Sequence, residues 1–236
     1  MKFILESLLS FLAHAIITKY KPRVIGITGS VGKTSTKDAI VAVLKGRFEV
    51  RETYKNYNNE LGLPLTIIGA QAQGKNLFGW LRVVGKALYL LLFKVSYPNI
   101  LVLEMGADKP GDIDALTQIA PVSIGVLTAV SEAHLHEFKS VEKVLAEKEK
   151  IVTKMKMGRA IINADDALVA SVAQRVRANV TTIGIDNDAS MRALEVSLYG
   201  LDDPSCESEN RFECTTWGTT FKISHAGSAV PFFLPH

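Results

Sequence analysis

The chain has 236 residues, 47% of them apolar, and carries 27 Lys and Arg against 24 Asp and Glu for a net charge of +3. That length suits one large α/β domain or two small ones, and the apolar share is ample for a sizeable core. The basic excess is mild and spread along the chain, with no basic stripe interleaved with aromatics and no internal repeat, which argues against a nucleic-acid partner.

Taken from the start, Phe3 to Ile17 is apolar but interrupted by Glu6 and His14, shorter than a bilayer span and placed like a signal peptide. A nucleotide loop so soon afterwards makes secretion an awkward reading. The stretch is expected as an N-terminal amphipathic helix over residues 1–20 that packs on the domain, with peripheral membrane contact as the minor reading and no integral membrane segment. Next comes VIGITGSVGKTSTKDAI, Val24 to Ile40. A β-branched run enters a glycine-rich turn, then Gly-Lys-Thr, then a helical pattern from Lys33 to Lys45. FEVR (Phe48 to Arg51), ILVLE (Ile100 to Glu104), SIGVLT (Ser123 to Thr128), AIIN (Ala160 to Asn163) and VTTIGI (Val180 to Ile185) supply further strands. Helices are expected near Leu77 to Val95, Ile113 to Ile119, Val141 to Met155 and Ala167 to Val176. The second long apolar run, Val83 to Val95, carries Lys86 and Lys94 and is again too short to span.

Continuous buried strands alternating with helices predict an α/β fold: a mostly parallel P-loop sheet with helices on both faces, binding its ligand beyond the carboxyl ends of the strands. After Ala189, LEVSLYG, RFECTT and TTFKIS are strand-like, with DDPS and WG as turns. They predict a small antiparallel sheet near the C-terminus. The division expected is residues 1–20, 21–190 and 191–236, the last belonging to the same domain and cut short at FFLPH. Cys206 and Cys214 have no metal-ligand spacing, which favours a reducing cytosol.

The loop offers phosphate chemistry. Backbone N–H groups and a helix N-terminus point at an anion, a lysine adds a mobile charge, and a hydroxyl after it can meet Mg²⁺. Gly29, Val31 and Gly32 provide the backbone, Lys33 the cation, Thr34 the metal hydroxyl, and Thr28, Ser30 and Ser35 further donors. The common pattern has a glycine where this chain has Ile27. Glu104 closes an apolar strand, where a buried carboxylate needs a cation. In AVSEAHLHEFKSVEKVLAEKEKI, His134 and His136 precede a lysine-rich helix containing Lys143, Lys148 and Lys150; periodicity alone selects none of them.

GITGSVGKTSTK, NYNNELGLPLT, LEMGADKPGDI and AHL followed by Lys148 together resemble the central ATPase domain of the Mur ligases, the ATP-dependent amide-forming enzymes of peptidoglycan synthesis. NYNNELGLPLT and EMGADKPGDI are similar to the D-alanyl-D-alanine-adding branch. The likeness covers about Val24 to Ile185. It accounts for Ile27, because this family's loop is T-G-[ST]-x-G-K-[ST]. It implies ATP and Mg²⁺ as cofactors, with Thr34 and Glu104 at one metal. A second metal site is implied at His134 and at Lys148, fourteen residues later and carbamylated in the active enzyme. Asn58 and Asn59 match the segment near substrate. Lys33, Glu104, His134 and Lys148 then carry the catalysis, and the expected partners are a UDP-muramoyl peptide and D-alanyl-D-alanine in the cytoplasm. Oligomeric state is not legible.

Several family features have no counterpart in these residues: the N-terminal domain gripping UDP, a Gly-x-His-Asn segment that helps hold adenine, and the C-terminal domain delivering the amine. The family's AHLEGFGS reads AHLHEFKS here, with His136 and Lys139 as departures. Asn163 and Asp165 of INADD match another family segment, with loop capping as an equal reading. The expected activity is an ATP-dependent carboxylate–amine ligase. The alternatives are a nucleotide-binding module or uncoupled ATPase, or a related ligase of folylpolyglutamate or cyanophycin type.

Overall fold

The computed structural model describes residues 2–132, 135–199 and 218–235. In chain order the elements are α1 Lys2–Tyr20, β1 Arg23–Thr28, α2 Lys33–Leu44, β2 Val50–Glu52, α3 Gly62–Ile68, α4 Leu77–Leu92 and β3 Ile100–Glu104. They continue with α5 Asp112–Ile119, β4 Ile124–Leu127, α6 Leu135–Phe138, α7 Val141–Lys148, α8 Lys150–Thr153, β5 Arg159–Asn163 and α9 Ala167–Ser171. A 3₁₀ turn at Val172–Arg175 leads to β6 Asn179–Gly184, β7 Met191–Tyr199, β8 Gly218–His225 and β9 Ser228–Pro235.

The strands form one nine-stranded sheet in the order β2-β3-β1-β4-β5-β6-β7-β8-β9. From β2 to β7 all pairings are parallel, and β7-β8-β9 close the edge antiparallel. The antiparallel strands expected near the C-terminus are thus a continuation of the main sheet: β7 pairs with β6 at Ile183 and Gly184. RFECTT, DDPS, Cys206 and Cys214 lie outside the described residues.

Why the sheet is buried follows from its strands. Every residue of β3 is buried, and alternate side chains serve opposite faces. Leu101 and Leu103 join the larger core with Leu9, Leu63, Val83 and Ile113 from α1, α3, α4 and α5. Ile100 and Val102 join Ile25, Ile27, Val126 and Val41, the last from α2 on the other face. β1 lies between β3 and β4, so the chain reverses its direction of travel across the sheet there. A crevice for ligands opens at such a switch point, at the carboxyl end of β1.

Three elements differ from the sequence expectation. The helix expected from Val141 to Met155 is two pieces meeting at Glu149. The strand expected at Phe48 to Arg51 begins at Val50, and this edge strand is only half-buried. α3 was hidden by Gly62 and Pro64, which read as breakers, yet all seven of its residues are buried. Proline sits in its first turn, where no intrahelical acceptor awaits an N–H. Gly62 has a second reason: a Cβ there would come within 2.3 Å of Tyr57 Cα.

Candidate functional site

The turn between β1 and α2 is held from below. Thr28 is buried and its hydroxyl donates to Met105 O at 2.7 Å, tying β1 to the exit of β3. That hydroxyl lies under the loop rather than in it. Ser30 N donates to Ala129 O at 2.6 Å, and Val31 bridges to Ala129. Thr128 donates to Val31 O at 2.6 Å and to Thr28 O at 3.2 Å. Sequence reasoning missed Thr128, because its partner lies 97 residues away. Gly29 has φ 156° and Gly32 φ 82°. A Cβ on Gly29 would sit 2.0 Å from Thr128 Oγ1, so only glycine lets the loop rest on β4. Gly32 precedes α2, whose first N–H groups face the turn.

Lys33 folds back over this turn, donating to Gly29 O at 2.8 Å and Ser30 O at 3.2 Å. Thr34 Oγ1 donates to Glu104 Oε2 at 2.9 Å, and Asn58 Nδ2 donates to Glu104 Oε1 at 3.1 Å. Glu104 is 4% exposed, and its N–H donates to Thr53 Oγ1. The carboxylate is therefore oriented from both oxygens before any cation arrives. Ser35 is exposed on the first turn of α2.

The two asparagines part company. Asn58 reaches Glu104, while Asn59 Oδ1 accepts from Leu61 N and Gly62 N and caps α3. Nothing in the sequence separates them, since the division depends on which side chain turns toward β3.

Lys148, at the end of α7, is 2% exposed. Burial, reinforced by the charge of Lys33, pulls its amine down to about 8, while Asp108, Glu147 and Asp112 act in the opposite sense. Glu147 fixes this corner. It accepts Gly111 N at 3.0 Å and Ile113 N at 2.9 Å, and pairs with Lys150 at 2.6 Å. Asp112 accepts from Asp108 N and Lys109 N, both at 2.9 Å. The segment ADKPGDI is thereby bound to α7, and Lys33 and Lys148 are electrostatic neighbours. His134 lies outside the described residues, and only the backbone of His136 is described, on α6. Lys139 has φ 67°, the left-handed conformation a glycine adopts at less cost.

Beside the loop a cavity of about 430 Å³ opens at the carboxyl ends of β4, β5 and β6, lined by Thr36, Asn163, Ile183, Arg192, Phe221 and Ile223. Asp165 accepts Ile185 N at 2.7 Å, Asn187 N at 2.9 Å and Asp186 N at 3.1 Å, which holds its carboxyl below the usual range. Asp166 caps α9 and accepts Val130 N. Asn163 Oδ1 accepts Asp165 N at 3.0 Å, so INADD caps its loop through the asparagine as well as both aspartates.

The donor set fits a hard cation. Thr34 and Glu104 present a hydroxyl and a carboxylate oxygen 2.9 Å apart beside the loop, hard donors of the kind Mg²⁺ takes when phosphates and water complete its shell. Among the described residues no three His, Cys, Asp or Glu side chains gather as a metal cage. A parallel sheet whose first strand runs into this glycine turn and helix, faced by a strand-end carboxylate, defines an α/β protein of the phosphate-loop class.

Comparison narrows the class. Residues 27–78 and 82–226 match the Mur ligase middle domain, and the chain belongs to that family. It is 38% identical over 182 residues to the UDP-N-acetylmuramoyl-tripeptide–D-alanyl-D-alanine ligase of Mycobacterium tuberculosis, covering 77% of this chain and 31% of that protein. The Bacillus subtilis enzyme of the same name is 32% identical over 224 residues, 95% of this chain and 39% of that one. The MurF ligase of Thermotoga maritima, solved in complex with ADP, superposes with TM-score 0.72 at 27% identity, over 98% of this chain and 44% of that one. The chain therefore spans roughly a third of the length of the curated relatives it matches.

Proposed function

We propose that this chain is the ATP-binding part of an amide-forming ligase of peptidoglycan precursor synthesis, acting in the cytoplasm and joining D-alanyl-D-alanine to a UDP-muramoyl peptide. The observation that carries the reading is the junction of Lys33, Thr34, Glu104 and Asn58 at the carboxyl ends of β1 and β3. The ADP-bound relative supports a nucleotide in this place. Residues 21–190 then form the nucleotide-binding body, 191–236 extend its sheet, and residues 1–20 buttress it.

In this reading Lys33 leaves the loop carbonyls and takes the β- and γ-phosphate oxygens, which the N–H groups at the start of α2 face, while Ser30 N stays bonded to Ala129 O. The cavity lined by Asn163, Ile183 and Phe221 seats the base. A substrate carboxylate attacks the γ-phosphorus, ADP leaves, and the resulting acyl phosphate loses phosphate to the incoming amine as the amide forms. Thr34 and Glu104 would hold Mg²⁺, and the ion would supply charge neutralisation between the two anions. Asn58 keeps the Glu104 carboxylate in place and is a positioning residue.

Lys148 is the residue whose carbamylation the family resemblance implies. A neutral amine adds CO₂ and loses one proton, giving an anion that suits a second metal with His134. Burial favours the neutral amine on which that addition depends. Asp108 and Asp112 act in the opposite sense, favouring the charged amine, so a carbamate there would need the second cation beside it.

The test supplies ATP, Mg²⁺, bicarbonate, UDP-muramoyl tripeptide and D-alanyl-D-alanine, and reads amide product by mass spectrometry. Product that requires all of these supports the ligase. Phosphate release without amide marks an uncoupled ATPase, and neither marks a nucleotide-binding module.

A further inference from the structure

α4 is apolar on two sides. Gly79, Val83, Ala87 and Leu90 are buried against the domain, as a core-facing stripe requires. At helical spacing on the opposite side stand Leu77, Phe78, Leu81, Leu88, Tyr89 and Leu92, all exposed, Phe78 by 80% and Leu92 by 76%. α1 adjoins it: Lys19 Nζ donates to Leu90 O, Leu91 O and Phe93 O at the end of α4. The exposed Phe3 and Phe11 of α1 belong to a separate cavity beside α5, shared with Glu6, Glu60 and Lys109, while Leu9, Leu12, Ala13, Ile16 and Ile17 fill the core. The α1 stretch Phe3–Tyr20 has mean hydropathy 1.3, and five of its residues lie in the core of the domain.

Charge indicates what covers this layer. Between Leu61 and Ile100 the chain has four basic residues, Lys75, Arg82, Lys86 and Lys94, and no acidic one. The rest of the chain carries 23 basic residues against 24 acidic ones, so the segment accounts for the whole basic excess. Arg82 is exposed and flanks the apolar face, and exposed Lys75 and Lys94 bracket the two ends of α4. On α4 itself, aliphatic and aromatic side chains outward, cations at the margins and no carboxylate make the composition of a helix lying in a lipid–water interface. There the apolar groups enter the acyl boundary and the cations meet anionic headgroups.

We propose that the outward face of α4 docks this protein on an anionic bilayer surface. The docking is peripheral, and it uses none of the nucleotide-loop residues. It therefore stands or falls independently of the ligase reading.

The test is co-sedimentation of the full chain with phosphatidylcholine vesicles, with and without phosphatidylglycerol. Binding is expected to the anionic vesicles, weakening as salt rises. Leu81→Glu with Leu88→Glu should lower the partition by more than about tenfold, and Arg82→Gln with Lys94→Gln by roughly tenfold. Unchanged unfolding midpoints in both variants would exclude misfolding, and Lys33→Ala should sediment as the parent does. No binding to anionic vesicles, or binding that Leu81→Glu with Leu88→Glu leaves intact, overturns the proposal. So does a dimer in solution that this double variant dissolves without any vesicle binding, which would assign the face to a second copy.

Discussion

At the carboxyl ends of β1 and β3, buried polar side chains all have partners: Thr28 bonds to Met105 O, Glu104 to Thr34 and Asn58, and Glu147 to the start of α5. On the outer side of α4 the pattern reverses, with large apolar side chains turned outward around a few cations. Both regions rest on the same core. Polar groups there cost free energy unless partnered, so each partner is fixed by the fold. Apolar groups on a helix surface impose no such requirement, and α4 can change its outer face without disturbing its inner one. The difference teaches that the site is mechanically coupled to the sheet, and the outer layer is not.

Substitutions can break this contrast, and the largest effect belongs to the shared core. Leu63→Ala, at a fully buried position, should cost about 2–5 kcal/mol in chemical denaturation. Leu81→Ala, exposed on α4, should stay within about 0.5 kcal/mol. A comparable loss at Leu81 would mean that α4 is packed on both sides.

Gly29→Ala comes next. With φ 156° and Thr128 Oγ1 2.0 Å from the new Cβ, the loop must shift. A loss of about 1–3 kcal/mol is expected, together with weaker nucleotide binding by calorimetry. Binding lost at full stability would show that the loop is not braced by β4.

The asparagine pair sharpens the contrast within one segment. Asn59→Ala removes a cap and should lower stability by about 1 kcal/mol while sparing nucleotide affinity. Asn58→Ala should do the opposite, weakening Mg²⁺-dependent binding by roughly tenfold through a looser Glu104. Interchanged outcomes would reverse the two roles. Lys139→Gly, smallest in effect, should raise stability by up to about 1 kcal/mol, because it relieves a left-handed lysine.

Legibility followed the range of each interaction. VIGIT, ILVLE and AIIN were readable because a strand buried on both faces is a continuous apolar run. The loop was readable because its glycines, lysine and threonine are consecutive. α3 was not, since propensity counts Pro64 and Gly62 against a helix whose stability comes from complete burial. Thr128 and Glu147 act across 97 and 34 residues, and no local pattern marks them. The joining of β7 to β6 is likewise a pairing between edges, invisible in either strand alone. His134 and Lys148 were selected by family likeness and not by periodicity. The structure adds the burial of Lys148 and its proximity to Lys33.

The measurement that tests the central claim most directly is Mg²⁺-dependent ATP binding by calorimetry, on this chain and on Lys33→Ala. The account predicts binding that needs the metal and weakens by about 10- to 100-fold in the variant, as loss of a charged hydrogen-bond donor should. Equal affinity in the two proteins, or affinity indifferent to Mg²⁺, would contradict the assignment of Lys33, Thr34 and Glu104 to a phosphate site.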